Sequence, residues 1–108
     1  MGDLLKNKFG IAKTNSAYEE TVGSGETWTV IAITICNTES NDDATFDLFV
    51  DTDGSGADAY IYKTQSLPSL ATFEHTSKIV LTTGQKLGFI ATDANQDIDV
   101  FISYLEQT

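Results

Sequence analysis

The sequence predicts a small all-β domain, a sandwich or a barrel, on three observations. Segments rich in β-branched and aromatic residues recur at roughly 8–12-residue spacing, separated by Gly, Asp, Asn and Ser clusters. The longest apolar run, TWTVIAITICNT from Thr27 to Thr38, is dominated by β-branched residues. No segment carries the apolar stripe of an amphipathic helix. At 108 residues the chain is long enough for one core and too short for two.

Residues 1–8 read as an arm: Leu4 and Leu5 are apolar but nothing around them is periodic, and a helical turn and a disordered tail are equally open. Phe9 to Lys13 and Ala17 to Val22 are short strands, with GSGE at 23–26 as a tight turn. The strand from Trp28 to Asn37 follows. With period two, Thr29, Ile31, Ile33, Ile35 and Asn37 take one face and Trp28, Val30, Ala32, Thr34 and Cys36 the other. Both faces are largely apolar, as in a central strand covered on each side. Thr45 to Asp51 alternates, with Phe46, Leu48 and Val50 against Thr45, Asp47 and Phe49. The DTDGSGAD loop, Asp51 to Asp58, leads into a strand from Tyr60 to Leu67, closed by Pro68. Leu70 to Glu74 and Ile79 to Leu81 are short strands around His75. TTGQ at 82–85 turns into Lys86 to Thr92, and DANQD at 93–97 into a last strand, Ile98 to Leu105. Phe46, Leu48, Val50, Leu87, Phe89, Ile98, Val100 and Ile102 form the expected core. That leaves Phe49, Ile90, Phe101 and Leu105, and with them Tyr62, facing away from it. Either a second sheet covers these groups or they mark an interface.

The formal charge is −10, from 16 acids against 6 bases. Residues 1–13 hold Lys6, Lys8 and Lys13 against Asp3, a net +2, so the rest sums to −12. Without clustered bases elsewhere, binding to nucleic-acid phosphates is not expected. No apolar stretch approaches a bilayer span, and the opening residues lack the pattern of a secretory signal. Gly2 is not followed by the Ser or Thr of a myristoylation signal, since Lys6 stands there. Cys36 is the sole cysteine, so no intrachain disulfide forms.

Asp51-Thr52-Asp53-Gly54-Ser55-Gly56 matches the first half of a calcium loop, with Asp51, Asp53 and Ser55 as ligands and Asp58 as an extra one. The second half fails: Tyr62 occupies the bidentate glutamate position. A solvated acidic hairpin loop fits more of the segment, and calcium stays the alternative. His75 reads as a surface histidine, and a dyad with Glu74 is excluded because strand neighbours face opposite ways. A hydrolase would require Cys36 and His75 to meet. No triad, phosphate-cradling loop or metal cluster appears, so no enzymatic activity is expected.

ETWTVIAITICNTES at 26–40, ATFDLFV at 44–50, SLPS at 66–69 with Thr72, and VLTTGQKLGFIATDANQDIDVFISYLE at 80–106 resemble small β-sandwich structural and decoration proteins of tailed-phage virions. The resemblance covers most of residues 22–106. The chain departs from it in the acidic DTDGSGAD loop and in Glu26, where a lysine is usual. It implies a single antiparallel β-sandwich, jelly-roll-like, expected over residues 14–108; the N-terminal arm, taken over residues 1–13, lies outside the resemblance and comes from the residues themselves. The resemblance also implies a protein of the virion that decorates a capsid or joins a tail, neck or fibre complex. The expected partners are other virion proteins such as the major capsid protein, and further copies of the chain, as in a trimer. Leu4, Leu5, Lys6, Lys8 and Phe9 would dock the arm on a neighbour, while Phe49, Phe101 and Leu105 would pack at a protein contact. A glycan- or receptor-binding module, with Trp28, Tyr60 and Tyr62 stacking on sugar, is the other reading.

Overall fold

A computed structural model describes residues 2–92 and 97–108, among which nine strands build two antiparallel sheets packed face to face. The strands are β1 (Asp3–Lys13), β2 (Tyr18–Thr21), β3 (Thr27–Asn37), β4 (Ala44–Asp51), β5 (Ala59–Leu67), β6 (Thr72–His75), β7 (Ile79–Thr82), β8 (Lys86–Ala91) and β9 (Asp97–Gln107). One sheet runs β1-β9-β3-β6, with β7 also on β3; the other runs β2-β8-β4-β5. β6 and β7 pair with successive halves of β3, Ile33 to Cys36 and Thr27 to Val30. Counted as one interrupted strand, they give the pairings 1-8-3-6 and 2-7-4-5, the order of a jelly roll. The expected turn at 93–97 falls, except for Asp97, outside the described residues.

The core lies between the sheets. Phe46, Leu48, Leu87, Phe89, Ile98, Val100 and Ile102 are buried in it with Trp28, Val30, Ile33, Ile35 and Tyr104, and Val50 packs against its edge. The alternation of β4, β8 and β9 therefore assigned their inner faces correctly. β3 departs from its apparent period. Its pairing with β9 shifts between Val30 and Ala32, leaving Ile31 as the extra residue of a bulge. The bulge turns Trp28 and Val30 inward together with Ile33, Ile35 and Asn37, all buried. What looked like two apolar faces is one inner face divided by a bulge. The outer face carries Thr29, Ile31, Ala32, Thr34 and Cys36, and among the described residues no second sheet covers it.

The N-terminal segment is not a separate arm. Asp3 to Lys13 pairs with β9 over eleven consecutive positions, from Asp3↔Gln107 to Lys13↔Asp97, and forms one edge of its sheet. Its inward positions explain why the sequence concealed it. Gly10 and Ala12 are small, and a Cβ on Gly10 would lie 2.5 Å from the Tyr18 ring. Lys6 and Lys8 stand at the seam between the sheets, where Glu106 and Glu20 receive them.

His75 is a second correction. It is 8 % exposed and faces the interior from β6, beside Phe73 and opposite Ile33. Tyr62 also turns inward and packs on Phe46, Phe73 and the His75 ring. Its hydroxyl hydrogen-bonds His75 Nδ1 at 2.8 Å, whereas His75 Nε2 is buried without a partner among the described residues.

Candidate functional site

Strand alternation places Leu5, Asn7, Phe9 and Ile11 of β1 on the outer side of its sheet, level with Leu105, Ser103, Phe101 and Asp99 of β9. Thr29, Ile31, Ala32, Thr34 and Cys36 of β3 continue that surface, and Val80 of β7 completes it. Most of these apolar groups are open to solvent: Leu5 is 78 % exposed, Phe9 70 %, Val80 62 %, Ile11 53 %, Phe101 42 % and Ile31 39 %. Together these residues expose roughly 700 Å², somewhat above the ~300–600 Å² of the largest apolar patch on an ordinary monomer.

The patch has relief. Phe9 and Phe101 stack with ring centroids 5.9 Å apart and planes 2° from parallel. On one side of this ridge lies an apolar hollow of about 350 Å³ bounded by Ile11, Thr34, Cys36 and Asp99. On the other lies a hollow of about 370 Å³ bounded by Leu5, Asn7, Ile31 and Ser103. Among the described residues, charge sits mostly at the rim, with Asp3 at one end, Lys13 and Asp97 at the other and Glu74 at the side, while Asp99 stands between Ile11 and Cys36 on the wall of the first hollow.

The pairing of β1 with β9 thus joins two residue sets that the sequence left apart. Leu5 and Phe9 of the expected arm sit directly opposite Leu105 and Phe101 of the expected sheet face. Other expected contacts separate from them. Lys6 and Lys8 point to the other side of β1, with Lys6 Nζ 3.1 Å from Glu106 Oε1 and Lys8 Nζ 3.7 Å from Glu20. Leu4 shares their side and is exposed near the end of the strand. Phe49 belongs to the opposite sheet, where it is only 7 % exposed, beneath Tyr60 and against Gly88. Phe49 and Phe101 therefore lie on opposite outer surfaces and cannot form one contact.

The polar seam beside β1 is closed on itself. Glu26 accepts from the Trp28 indole N–H at 3.1 Å and from Gly23 N at 3.3 Å. These bonds, the indole's first, hold its carboxyl below the usual value. Burial, and then the hydrogen bond to Glu20, push the Tyr18 phenol well up. The opposite sheet binds its own charges too. Asp47, nearly buried, accepts from Lys63 Nζ at 3.1 Å and from Thr64 N at 2.7 Å.

The acidic loop joins β4 to β5 and brings Asp51, Asp53 and Asp58 within 4.8 Å of one another. Each carboxylate already serves the loop. Asp51 accepts from the backbone N–H groups of Asp53, Gly54 and Gly56, and Asp53 from both the N–H and hydroxyl of Ser55. Asp58 accepts from the N–H and hydroxyl of Thr52. These bonds give each carboxylate a part in shaping the turn.

The glycan reading loses its platform: Trp28 is 2 % exposed and Tyr62 faces inward, so of the three rings Tyr60 alone is open. The hydrolase pair also fails to assemble, because Cys36 lies on the outer side of the β1 sheet and His75 on the inner side. Comparison with known proteins adds no assignment: no protein-family model matches the chain, and neither does any curated protein.

Proposed function

We propose that this is a non-enzymatic structural protein of a phage virion, a capsid decoration protein that works by being assembled through the open face of its β1-β9-β3 sheet. The observation that carries the assembly reading is the contiguous apolar surface of Leu5, Phe9, Ile11, Ile31, Val80, Phe101 and Leu105 on an otherwise acidic molecule. The virion setting is supported by the resemblance of residues 26–40, 44–50, 66–69 with Thr72, and 80–106, and the partners that follow from it are the major capsid protein and further copies of the chain. A place in a tail, neck or fibre complex is the alternative setting for the same surface. Because β1 is a full strand of the sheet, truncation would confuse folding with attachment, and a point change separates them. Virions grown with Phe9→Glu should lack the protein while the purified variant unfolds at the wild-type temperature. Normal incorporation of Phe9→Glu would overturn the proposal.

A further inference from the structure

Building on that reading, we infer that the occupant of the open face is a second copy of the chain, related by a two-fold axis, with each Phe9–Phe101 ridge seated in a hollow of the other. Two observations favour this occupant, and a third disfavours a lipid surface.

The first is self-complementarity. A two-fold contact uses one patch twice, so the patch must contain both the projection and the recess. Here the ridge stands between two apolar hollows of about 350 and 370 Å³ on the same surface. The second is area. The roughly 700 Å² of exposed apolar surface is close to the ~800 Å² per partner of a stable specific interface.

The third is charge. Among the described residues, the outer positions of these strands carry four acids, Asp3, Asp97, Asp99 and Glu74, against one base, Lys13, and Asp99 lies on the wall of one hollow. An anionic lipid surface needs clustered lysine or arginine beside the apolar groups and would be repelled. A basic protein partner would be drawn by the rim but needs no ridge and recess on one patch.

The strand edges are consistent with a contact centred on this side. β5, an edge of the other sheet, is broken by register shifts opposite Phe46 to Phe49, which blunt it against pairing. β1 has no such shift.

Salt separates the occupants. Two chains of charge −10 repel, so dimerisation through an apolar centre should tighten roughly threefold or more from 50 to 500 mM NaCl, whereas a basic partner would bind more weakly. The test is sedimentation of the full chain across concentration at both salts, with Phe9→Glu as the disrupting variant and Phe9→Cys as a geometric probe. β1 and β3 flank β9, so residues 9 and 36 are about 9.5 Å or more apart within one chain, beyond the ~7 Å limit for a disulfide. Under mild oxidation by dissolved oxygen, reduced to peroxide as the two thiols join, Phe9→Cys should give a covalent dimer through Cys36 of the second copy. Cys36→Ser in that background should remove the bond to Cys36. A dimer that tightens with salt, is weakened at least about tenfold by Phe9→Glu and cross-links from position 9 to Cys36 establishes the inference. A protein that stays monomeric at both salts and gives no link from position 9 to Cys36 overturns it. If that monomer's incorporation into virions still depends on Phe9, the assembly reading stands and only the second-copy occupant fails.

Discussion

Replacing Gly88 with alanine tests how the β2-β8-β4-β5 sheet closes its own outer surface. Gly88 sits directly opposite Phe49, and a Cβ there would lie 2.4 Å from two atoms of the Phe49 ring. The ring has little room to retreat, being 7 % exposed with Tyr60 packed edge-on at 6.1 Å. Overpacking of this kind costs about 1–3 kcal/mol. Exchanging glycine for alanine in a strand returns about 0.5–1 kcal/mol of chain entropy. The net expectation is a loss of about 1–2 kcal/mol, or roughly 5–10 °C in Tm for a domain of this size. Phe49→Ala alone should cost about 2–3 kcal/mol, from lost burial of the ring. In that background Gly88→Ala should be harmless or mildly stabilising. Urea unfolding of the four proteins gives the coupling energy, expected at about 1.5–3 kcal/mol. If Gly88→Ala were equally tolerated with and without the Phe49 ring, the packing argument would be refuted.

Three further outcomes follow from other sites. Thr64 has φ +52°, a left-handed conformation that disfavours a β-branched residue, and Asp47 holds it by accepting from its N–H. Thr64→Asn should raise stability by about 0.5–1 kcal/mol, while Asp47→Ala, which also strips Lys63 of its partner, should lower it by about 2 kcal/mol; chemical denaturation measures both. Tyr62→Phe combined with His75→Phe exchanges a buried hydrogen bond and an unpartnered ring nitrogen for apolar contact, and should be neutral or stabilising in a thermal melt. Tyr62→Phe alone should be the less stable single change, because it leaves both ring nitrogens of the buried His75 without a partner. Glu26 has its carboxyl held below the ordinary 4.5 when folded, first by the Trp28 indole. Its contribution is therefore present above about pH 4.5 and fades as the pH falls through the lower folded value. Glu26→Gln should remove that part of the acid-side loss, read from Tm between pH 6 and pH 3.

The sequence was most informative where strands keep strict period two and face the core once. β4 and β9 are such strands, and Phe46, Leu48, Ile98, Val100 and Ile102 were assigned correctly from alternation. β3 misled because a one-residue bulge at Ile31 inverts the parity of everything after it, and nothing in TWTVIAITICNT marks the break. Phe9 to Lys13 was expected as a strand, but the first half of β1, Asp3 to Lys8, was missed for a different reason. Its inward side holds Lys6, Lys8, Gly10 and Ala12, charged at the seam or small beneath Tyr18, while its apolar groups point out. The alternation of Leu5, Phe9 and Ile11 was present, but it marks the exposed side. The candidate surface was accordingly half legible. Phe101 and Leu105 stood out as surplus apolar groups, and Leu5 and Phe9 as an apolar arm. Their union depends on the register of β1 against β9, a pairing between the two ends of the chain that local pattern does not encode. Phe49 looked equivalent to Phe101 in alternation. Its glycine partner on β8 separates them, because Gly88 gives the Phe49 ring a seat on its own sheet.

The proposed contacts use one outer face of the sandwich and not the other. The direct measurement compares rebinding of two purified variants, Phe101→Glu on the β1 sheet and Tyr60→Glu on the β2 sheet, to particles lacking the protein. Both side chains are about half exposed, at 42 % and 50 %, so neither change should unfold the domain. Tyr60→Glu should cosediment with particles like the wild type, and Phe101→Glu should not. Retained binding by Phe101→Glu, with loss in Tyr60→Glu, would contradict the proposal.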